Sequence, residues 1–405
     1  MKRKSSLLQM YALAGGALAA TMLFSACGSN SVNPTATAAA SPAAAQASPS
    51  VMPTSPAAAA AAAQPLRAGE RFLNLTVPQS YTPVAPPGGT DEYRCLIIDP
   101  HLTKPAYVTG TQFQPQNVPI VHHAIVFSVA PGQPAAAARA QDAATPGQGW
   151  TCFGGAPLDT TPSPTWIDTW TPHGTETILK QNVGFPLRPG GLLVLQIHYN
   201  LLATGGRSAG PDRSGVRLRL TEGTSATRAL DTVNLQAPTE LPCPPGESGP
   251  LCSRAAAIAD VTKRFGAGTG ATEGQLVSDC SHGVPVPGNT QHCDIPVEQP
   301  MTVYAAMGHM HLLGRSIKIE LNPGTAKAQT LLDVPNFNFD DQRVTPLPTP
   351  VNIKPGDTVR VTCTHDATLR QKLPVLRQLP PRYVVWGDGT SDEMCLGLLT
   401  ASPKV

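Results

Sequence analysis

Aromatic residues make up only 5% of this chain and charged residues only 14%, with a formal net charge of +2. So small and balanced a charge gives no electrostatic footing for nucleic-acid binding. Also scarce are apolar residues recurring every 3.6 positions, the mark of amphipathic helices. In their place run short stretches of Val, Ile, Leu and Thr between clusters of Gly, Pro, Asn and Asp, in a chain with 36 glycines and 43 prolines. That pattern predicts an all-β protein built from sandwiches.

The N-terminus reads as a targeting segment. Lys2, Arg3 and Lys4 precede an apolar run to Phe24, and Leu23-Phe24-Ser25-Ala26-Cys27 resembles a bacterial lipobox, which makes 1–27 a lipoprotein signal peptide. An ordinary cleaved signal is the other reading. Acyl chains on Cys27 would anchor the protein without a spanning helix, each buried CH₂ contributing about 0.8 kcal/mol. The expected location is therefore an exported lipoprotein held at a membrane, periplasmic or at the cell surface. Residues 28–66 are rich in Ala, Pro and Ser and nearly free of charge and aromatics; such a stretch cannot offset its conformational entropy and reads as a disordered tether. About 340 residues follow, enough for two domains.

Nine cysteines less Cys27 leave Cys95, Cys152, Cys243, Cys252, Cys280, Cys293, Cys363 and Cys395. An even set behind an export signal predicts disulfides, although eight cysteines allow about 105 pairings. Full pairing leaves no thiolate for a metal. Any metal would then be held by His, Met or carboxylates.

Five histidines and one methionine stand out as such ligands, in four pieces: His122-His123, Gln196-Ile197-His198-Tyr199, His309-Met310-His311, and Asp392-Glu393-Met394-Cys395. Imidazoles combined with a thioether favour copper over magnesium, calcium or structural zinc. His309 and His311 follow a strand-like run and, two apart, project to one face, with Met310 turned away. Gln196 and His198 share a face of another strand, with Leu195 and Ile197 on the other. The adjacent pair His122-His123 fits one ion only if a bulge or strong twist opens its strand. Asp392 and Glu393 read as groups that support the ligands or cap the loop.

Taken together and in this order, the His-His pair, Leu-Gln-x-His-Tyr, His-x-His and Ser-Asp-Glu-Met-Cys resemble the copper type II, ascorbate-dependent monooxygenases, over roughly Leu66 to Leu399. This family includes the peptidylglycine- and dopamine-hydroxylating enzymes. The resemblance implies two antiparallel, jelly-roll-like β-sandwich domains, 67–208 and 209–402, facing each other across a solvent-filled cleft. It implies two copper ions: an electron-donating one held by His122, His123 and His198, and an oxygen-binding, catalytic one held by His309, His311 and Met394. Gln196 would be a polar group between them. It further implies the pairs Cys95–Cys152 and Cys363–Cys395; Cys243–Cys252 and Cys280–Cys293 follow only from proximity.

The departures bear on substrate. Where peptide-amidating members carry a carboxylate-gripping arginine, this chain has Met307; where they carry Asn and Tyr after Met-Cys, it has Leu396 and Leu398. The expected activity is hydroxylation of an sp³ C–H bond of an apolar or neutral small molecule with O₂ and a one-electron reductant such as ascorbate. A surface-anchored copper-binding or storage lipoprotein without turnover is the main rival. A three-histidine hydrolytic zinc site leaves Met394 without a purpose, and an adhesion sandwich leaves the histidine pairs unexplained. His101, His173, His282, His292 and His365 have no part in these readings.

Overall fold

The computed structural model describes residues 63–403 apart from 88, 154, 157, 159 and 173. The expected signal peptide and lipidation residue Cys27, most of the tether, and His173 lie outside the described residues. The chain is predominantly β-strand, as the Val/Ile/Thr runs between turn residues predict.

The first half forms two sheets. One has the order Glu70–Thr76, Gly215–Thr221, Ala106–Gln114, Val183–Leu187, Arg228–Ala229, with Thr177–Ile178 also on Ala106–Gln114. The other has the order Trp150–Thr151, Asp91–Ile98, Leu192–Asn200, Val121–Val129, Thr165–Trp170. Between them lies a core that includes Leu195, Ile197, Tyr199, Phe185, Val216 and Leu218. The strand Leu192–Asn200 shows why these residues make a strand. Its odd positions Leu193, Leu195, Ile197 and Tyr199 fill this core, while Leu192 and Val194 enter a second apolar cluster on the opposite face. A period of two with both faces buried leaves Gln196 and His198 on that second face.

Two further sheets follow. Asp231–Gln236, Leu396–Pro403, Met301–His309 and Thr345–Ile353 form one; Thr290–Pro296, Thr358–His365, Gly314–Leu321 and Gln329–Val334 form the other. Val303, Leu399 and Ala401 of the first meet Ile319, Val361 and Cys363 of the second in one core. Close approach here depends on the paired glycines Gly308 and Gly397, neighbours of His309 and Leu396. A Cβ on Gly308 would come 2.4 Å from Ile317 Cγ2, and one on Gly397 2.9 Å from Ile319 Cδ1.

Four expectations need correction. The boundary placed at 208/209 moves to about 230, because Gly215–Thr221 pairs with Glu70–Thr76 and Ala106–Gln114 inside the first half. The tether ends earlier than 66: Arg219 donates to the carbonyls of Gln64 and Pro65, at 2.9 Å each. Pairing is not wholly antiparallel, since Arg228–Ala229 runs parallel to Val183–Leu187. Helices also occur where little period was visible, at Gln133–Asp142, Arg254–Phe265 and Ala267–Ser281. Alanine propensity and the Ser253 cap, whose side chain accepts from Ala256 N, account for Arg254–Phe265.

Disulfides join Cys95 to Cys152, Cys243 to Cys252, Cys280 to Cys293 and Cys363 to Cys395. The last ties the strand Thr358–His365 to the residue that follows Met394.

Overpacking a tight sheet contact costs about 1–3 kcal/mol. Gly308→Ala is expected to destabilise the protein by that amount in urea denaturation, and Gly308→Ala with Ile317→Ala to cost less than the sum of the two single changes.

Candidate metal centre

Consecutive strand residues normally point to opposite faces. At the start of Val121–Val129 the register passes from Val121↔Tyr199 directly to His123↔His198, so His122 is the extra residue of a bulge. The bulge brings ring nitrogens of His122, His123 and His198 within 4.8 Å of one another, all three side chains buried. His198 is held from two sides. Its ring stacks on Tyr93 at 4.1 Å and 10°, and its Nε2–H donates to Asp91 Oδ1 at 2.8 Å. That leaves Nδ1 facing His123 Nδ1 at 3.2 Å. A carboxylate fixing the far nitrogen of an imidazole is the usual way to orient a metal ligand.

The second set forms at the end of Met301–His309. His309 and His311 have ring centroids 5.2 Å apart, and Met310 turns into the core as alternation requires. His309 Nδ1–H donates to Gln342 Oε1 at 2.7 Å, while Gln342 Nε2 donates to Phe339 O at 2.7 Å, which fixes the amide orientation. Met394 and His311 each lie two residues beyond the last register pair of their strands, His309↔Leu396. Glu393, fully buried, clamps the two ends together. It accepts from His311 N at 2.9 Å, Leu313 N at 2.6 Å and Met394 N at 3.2 Å. Asp392 secures the same loop through Arg264 at 2.6 and 2.7 Å and Arg382 at 2.7 Å. Burial opposes its ionisation, but the two guanidiniums outweigh burial and lower its carboxyl to about 2.

The two histidine sets do not face each other across solvent, contrary to expectation. The His123 and His309 rings are 5.5 Å apart, and all five imidazoles are buried together. The physical reason is a bridge made by residues 338–342. Gln342 N–H donates to Thr171 Oγ1, which donates back to Gln342 O, both at 3.1 Å. Phe339 stacks on His122 at 4.0 Å and lies 6.1 Å from His311. A second tie joins Asp91 Oδ1 to Thr390 Oγ1 at 2.5 Å, and a third Tyr93 OH to Asp388 O at 2.6 Å. The strand bearing His198's partners is thereby fastened to the loop bearing Met394.

Burial lowers the basicity of His123, His198, His309 and His311, that of His198 to about 4 despite Asp91. Neutral imidazole is the form that binds metal. Both ring nitrogens of His122 and of His311 are buried without a hydrogen-bond partner. His122 Nε2 does lie 3.4 Å from Asp340 Oδ1, within ion-pair range but outside hydrogen-bond geometry. An unmet buried polar atom costs about 1–3 kcal/mol, and metal coordination would remove that cost. With the eight cysteines paired no thiolate is available, and His122, His123 and His198 offer three imidazole donors of a kind that suits copper.

A cavity of about 510 Å³ adjoins the cluster. Its wall includes His123, His309 and Met394 together with Ile125, Phe153, Trp166, Met307, Trp386 and Leu396; Asn234, Gln236, Thr269 and Asp388 are polar points within it. Met307, Met394, Leu396 and Leu398 form one apolar cluster with Trp386. Gln196 also lines the cavity, but its amide donates to Cys152 O at 3.3 Å and to Gly155 O, so it braces the backbone at those two residues.

Several contributors were invisible in the sequence: Asp91, Tyr93, Thr171, Phe339 and Gln342 carry no local motif and reach the cluster only through long-range folding. His365 was set aside, yet its Nε2 lies 3.4 Å from Glu393 Oε2, both side chains fully buried.

The arrangement defines an all-β protein with a buried cluster of neutral imidazoles and an adjoining apolar cavity. Residues 286–401 match the copper type II ascorbate-dependent monooxygenase, C-terminal domain, in support of the family that the motifs resemble. The matched segment contains His309, His311 and Met394, while His122, His123 and His198 lie outside it. Among solved structures, an allantoicase is similar at 11% identity over 79% of this chain and 90% of that one, with a TM-score of 0.18. Dimeric latent PorU from Porphyromonas gingivalis matches at 9% identity over 78% of this chain and 25% of that one, with a TM-score of 0.13. Likenesses this weak carry no argument about the fold.

Loss of the group that orients a metal-bound imidazole typically weakens binding about 10- to 100-fold. Asp91→Asn is expected to lower copper affinity by that factor, read by competition with a chromogenic chelator.

Proposed function

We propose that this protein is a copper monooxygenase that hydroxylates an sp³ C–H bond of an apolar or neutral small molecule, using O₂ and an external one-electron reductant of which ascorbate is the family's example. The observation that carries this reading is the cavity whose wall joins Met394 and His309 to apolar side chains. A storage protein has no use for a substrate-sized space beside its ligands. Its volume falls in the range of small-molecule sites.

His122, His123 and His198 would hold one copper and His309, His311 and Met394 a second; copper at such sites supplies one-electron redox chemistry and activation of O₂. The chain's own part is binding and positioning. Asp91 and Tyr93 set the His198 ring, Gln342 sets His309, and Glu393 fixes the spacing between His311 and Met394. Met307, Leu396, Trp166 and Trp386 exclude water and receive the hydrocarbon part of the substrate. Met307 stands where a carboxylate-gripping arginine would be, and among the described residues no Lys or Arg lines the cavity. Substrates with a free carboxylate are therefore disfavoured, peptide amidation among them. Export and anchoring through Cys27 belong to the same proposal and place the reaction outside the cytoplasm.

Met394→Ile separates turnover from storage. Copper held by His122, His123 and His198 should remain, by metal analysis and electron paramagnetic resonance, while reductant-driven O₂ consumption falls to the rate of metal-free protein. Undiminished consumption would sink the assignment; copper loading without any consumption in the wild type, across apolar substrates, would favour the storage reading.

A further inference from the structure

The cavity beside His309 and Met394 has a polar end that hydroxylation itself does not use. One of its walls is a face of three adjacent strands, Asp231–Gln236, Leu396–Pro403 and Met301–His309. Register sets the side chains of that wall in rows across the strands. Gln236 pairs with Leu396, which pairs with His309; Asn234 pairs with Leu398, which pairs with Met307. Directly opposed residues of an antiparallel pair share a face, and the alternate residues Val233 and Leu235 turn into the core behind. Each row therefore runs from an amide, over a leucine, to His309 or Met307. Neighbouring strands lie about 4.8 Å apart, so Gln236 and His309 stand roughly 10 Å apart at the backbone.

These two amides are also the uncommitted polar groups of the cavity. Tyr93 donates its hydroxyl to Asp388 O, Thr269 to Asp388 Oδ2 and Thr272 to Gly268 O. Thr169 accepts from the Trp166 indole and Thr151 from Arg94, while Gln196 holds the carbonyls of Cys152 and Gly155. Of the amide and hydroxyl side chains that line the cavity among the described residues, only Asn234 and Gln236 make no side-chain hydrogen bond. Asn234 is exposed and Gln236 half-buried. An amide offers an acceptor and two donors but no charge.

We propose that Asn234 and Gln236 recognise the head of the substrate, and that the substrate is a neutral molecule with a hydroxyl or carboxamide head on an apolar body. Resting on the monooxygenase reading above, this narrows its substrate class. The two amides receive the head, the body crosses Leu396 and Met307, and the carbon to be hydroxylated lies at the far end, beside His309 and Met394. Oxidation then falls about two strand spacings, roughly 10 Å, from the groups that hold the head. A carboxylate head meets no Lys or Arg among the described residues of the cavity. A hydrocarbon without a head leaves both amides unfilled. The overall reaction is unchanged: R–H, O₂, two electrons and two protons give R–OH and H₂O, the electrons coming from the external one-electron reductant.

The test uses probes that share a hexyl chain: heptanamide, heptanoate, hexylamine and hexane. Affinities for the metal-free protein are measured by NMR titration. Wild type should bind heptanamide about tenfold more tightly than heptanoate or hexane, and Asn234→Leu with Gln236→Leu should erase that preference while hexane still binds. Gln236→Glu should raise the affinity for hexylamine relative to heptanamide about tenfold, a reversal that a residue merely supporting its strand would not produce. With copper and ascorbate, wild type should hydroxylate heptanamide at the end of the chain remote from the amide. Equal binding of heptanamide and hexane, an unchanged preference in either variant, or oxidation next to the amide would overturn the proposal. Because binding is measured without metal, the two readings fail separately: selective, variant-sensitive binding of heptanamide with no O₂-dependent product would uphold the head site and sink the monooxygenase assignment.

Discussion

Alternation of side chains along a β-strand forbids two neighbours from meeting one ion, and the histidine cluster depends on a single local exception. The extra residue at His122 makes two residues oppose His198 where a regular ladder would set one. Downstream of it alternation resumes, so Ala124 and Val126 still enter the main core while Ile125 and Phe127 stay on the site face. One inserted residue thus serves two demands at once. It gathers three imidazoles without shifting the rest of the strand out of register with the core.

Around this bulge the protein places charge sparingly and always with partners. Glu393 accepts three backbone N–H groups, Asp91 takes His198 and Thr390, and Asp392 is matched by two arginines. Such buried carboxylates are tolerable only when their acceptors are filled. Here filling them also does structural work: each carboxylate joins the end of one element to the loop beside another. The imidazole positions are consequently set by hydrogen bonds to backbone and rings, and the cavity walls are free to be apolar. That division lets Met307, Leu396 and Trp386 shape the pocket without disturbing the donors.

Much of the site was legible because its signals are local. His-x-His after an apolar run, a polar pair closing the strand Leu192–Asn200, and the need for a bulge at His122-His123 all follow from a period of two. The positioning groups were not legible for the opposite reason. Asp91 reaches Thr390 across 299 positions, and Thr171 reaches Gln342 across 171. No window of sequence contains both members of such a pair. The boundary at 208/209 failed in a related way: Gly215–Thr221 looks like the start of a new run of strands, yet its register belongs between Glu70–Thr76 and Ala106–Gln114. The helix Arg254–Phe265 was missed because its alanines favour helix through their low entropy cost while leaving few large apolar residues to mark a stripe; Ala267–Ser281 carries Gly268, Gly270 and Gly274, which disfavour helix locally, so its formation depends on tertiary packing.

Residue type and short-range spacing determined by themselves that this chain is all-β, that its candidate metal donors are imidazoles and one thioether, and which side chains share a strand face. These depend on the alternation of a pleated backbone and on donor chemistry, both properties of adjacent residues. Only the tertiary structure decided that the five imidazoles form one buried group, that Gln342 and Asp91 orient them, and that one cavity reaches His309 and Met394. Distances between strands far apart in sequence are fixed by how sheets pack and which loops bridge them, and that information is spread over the whole chain.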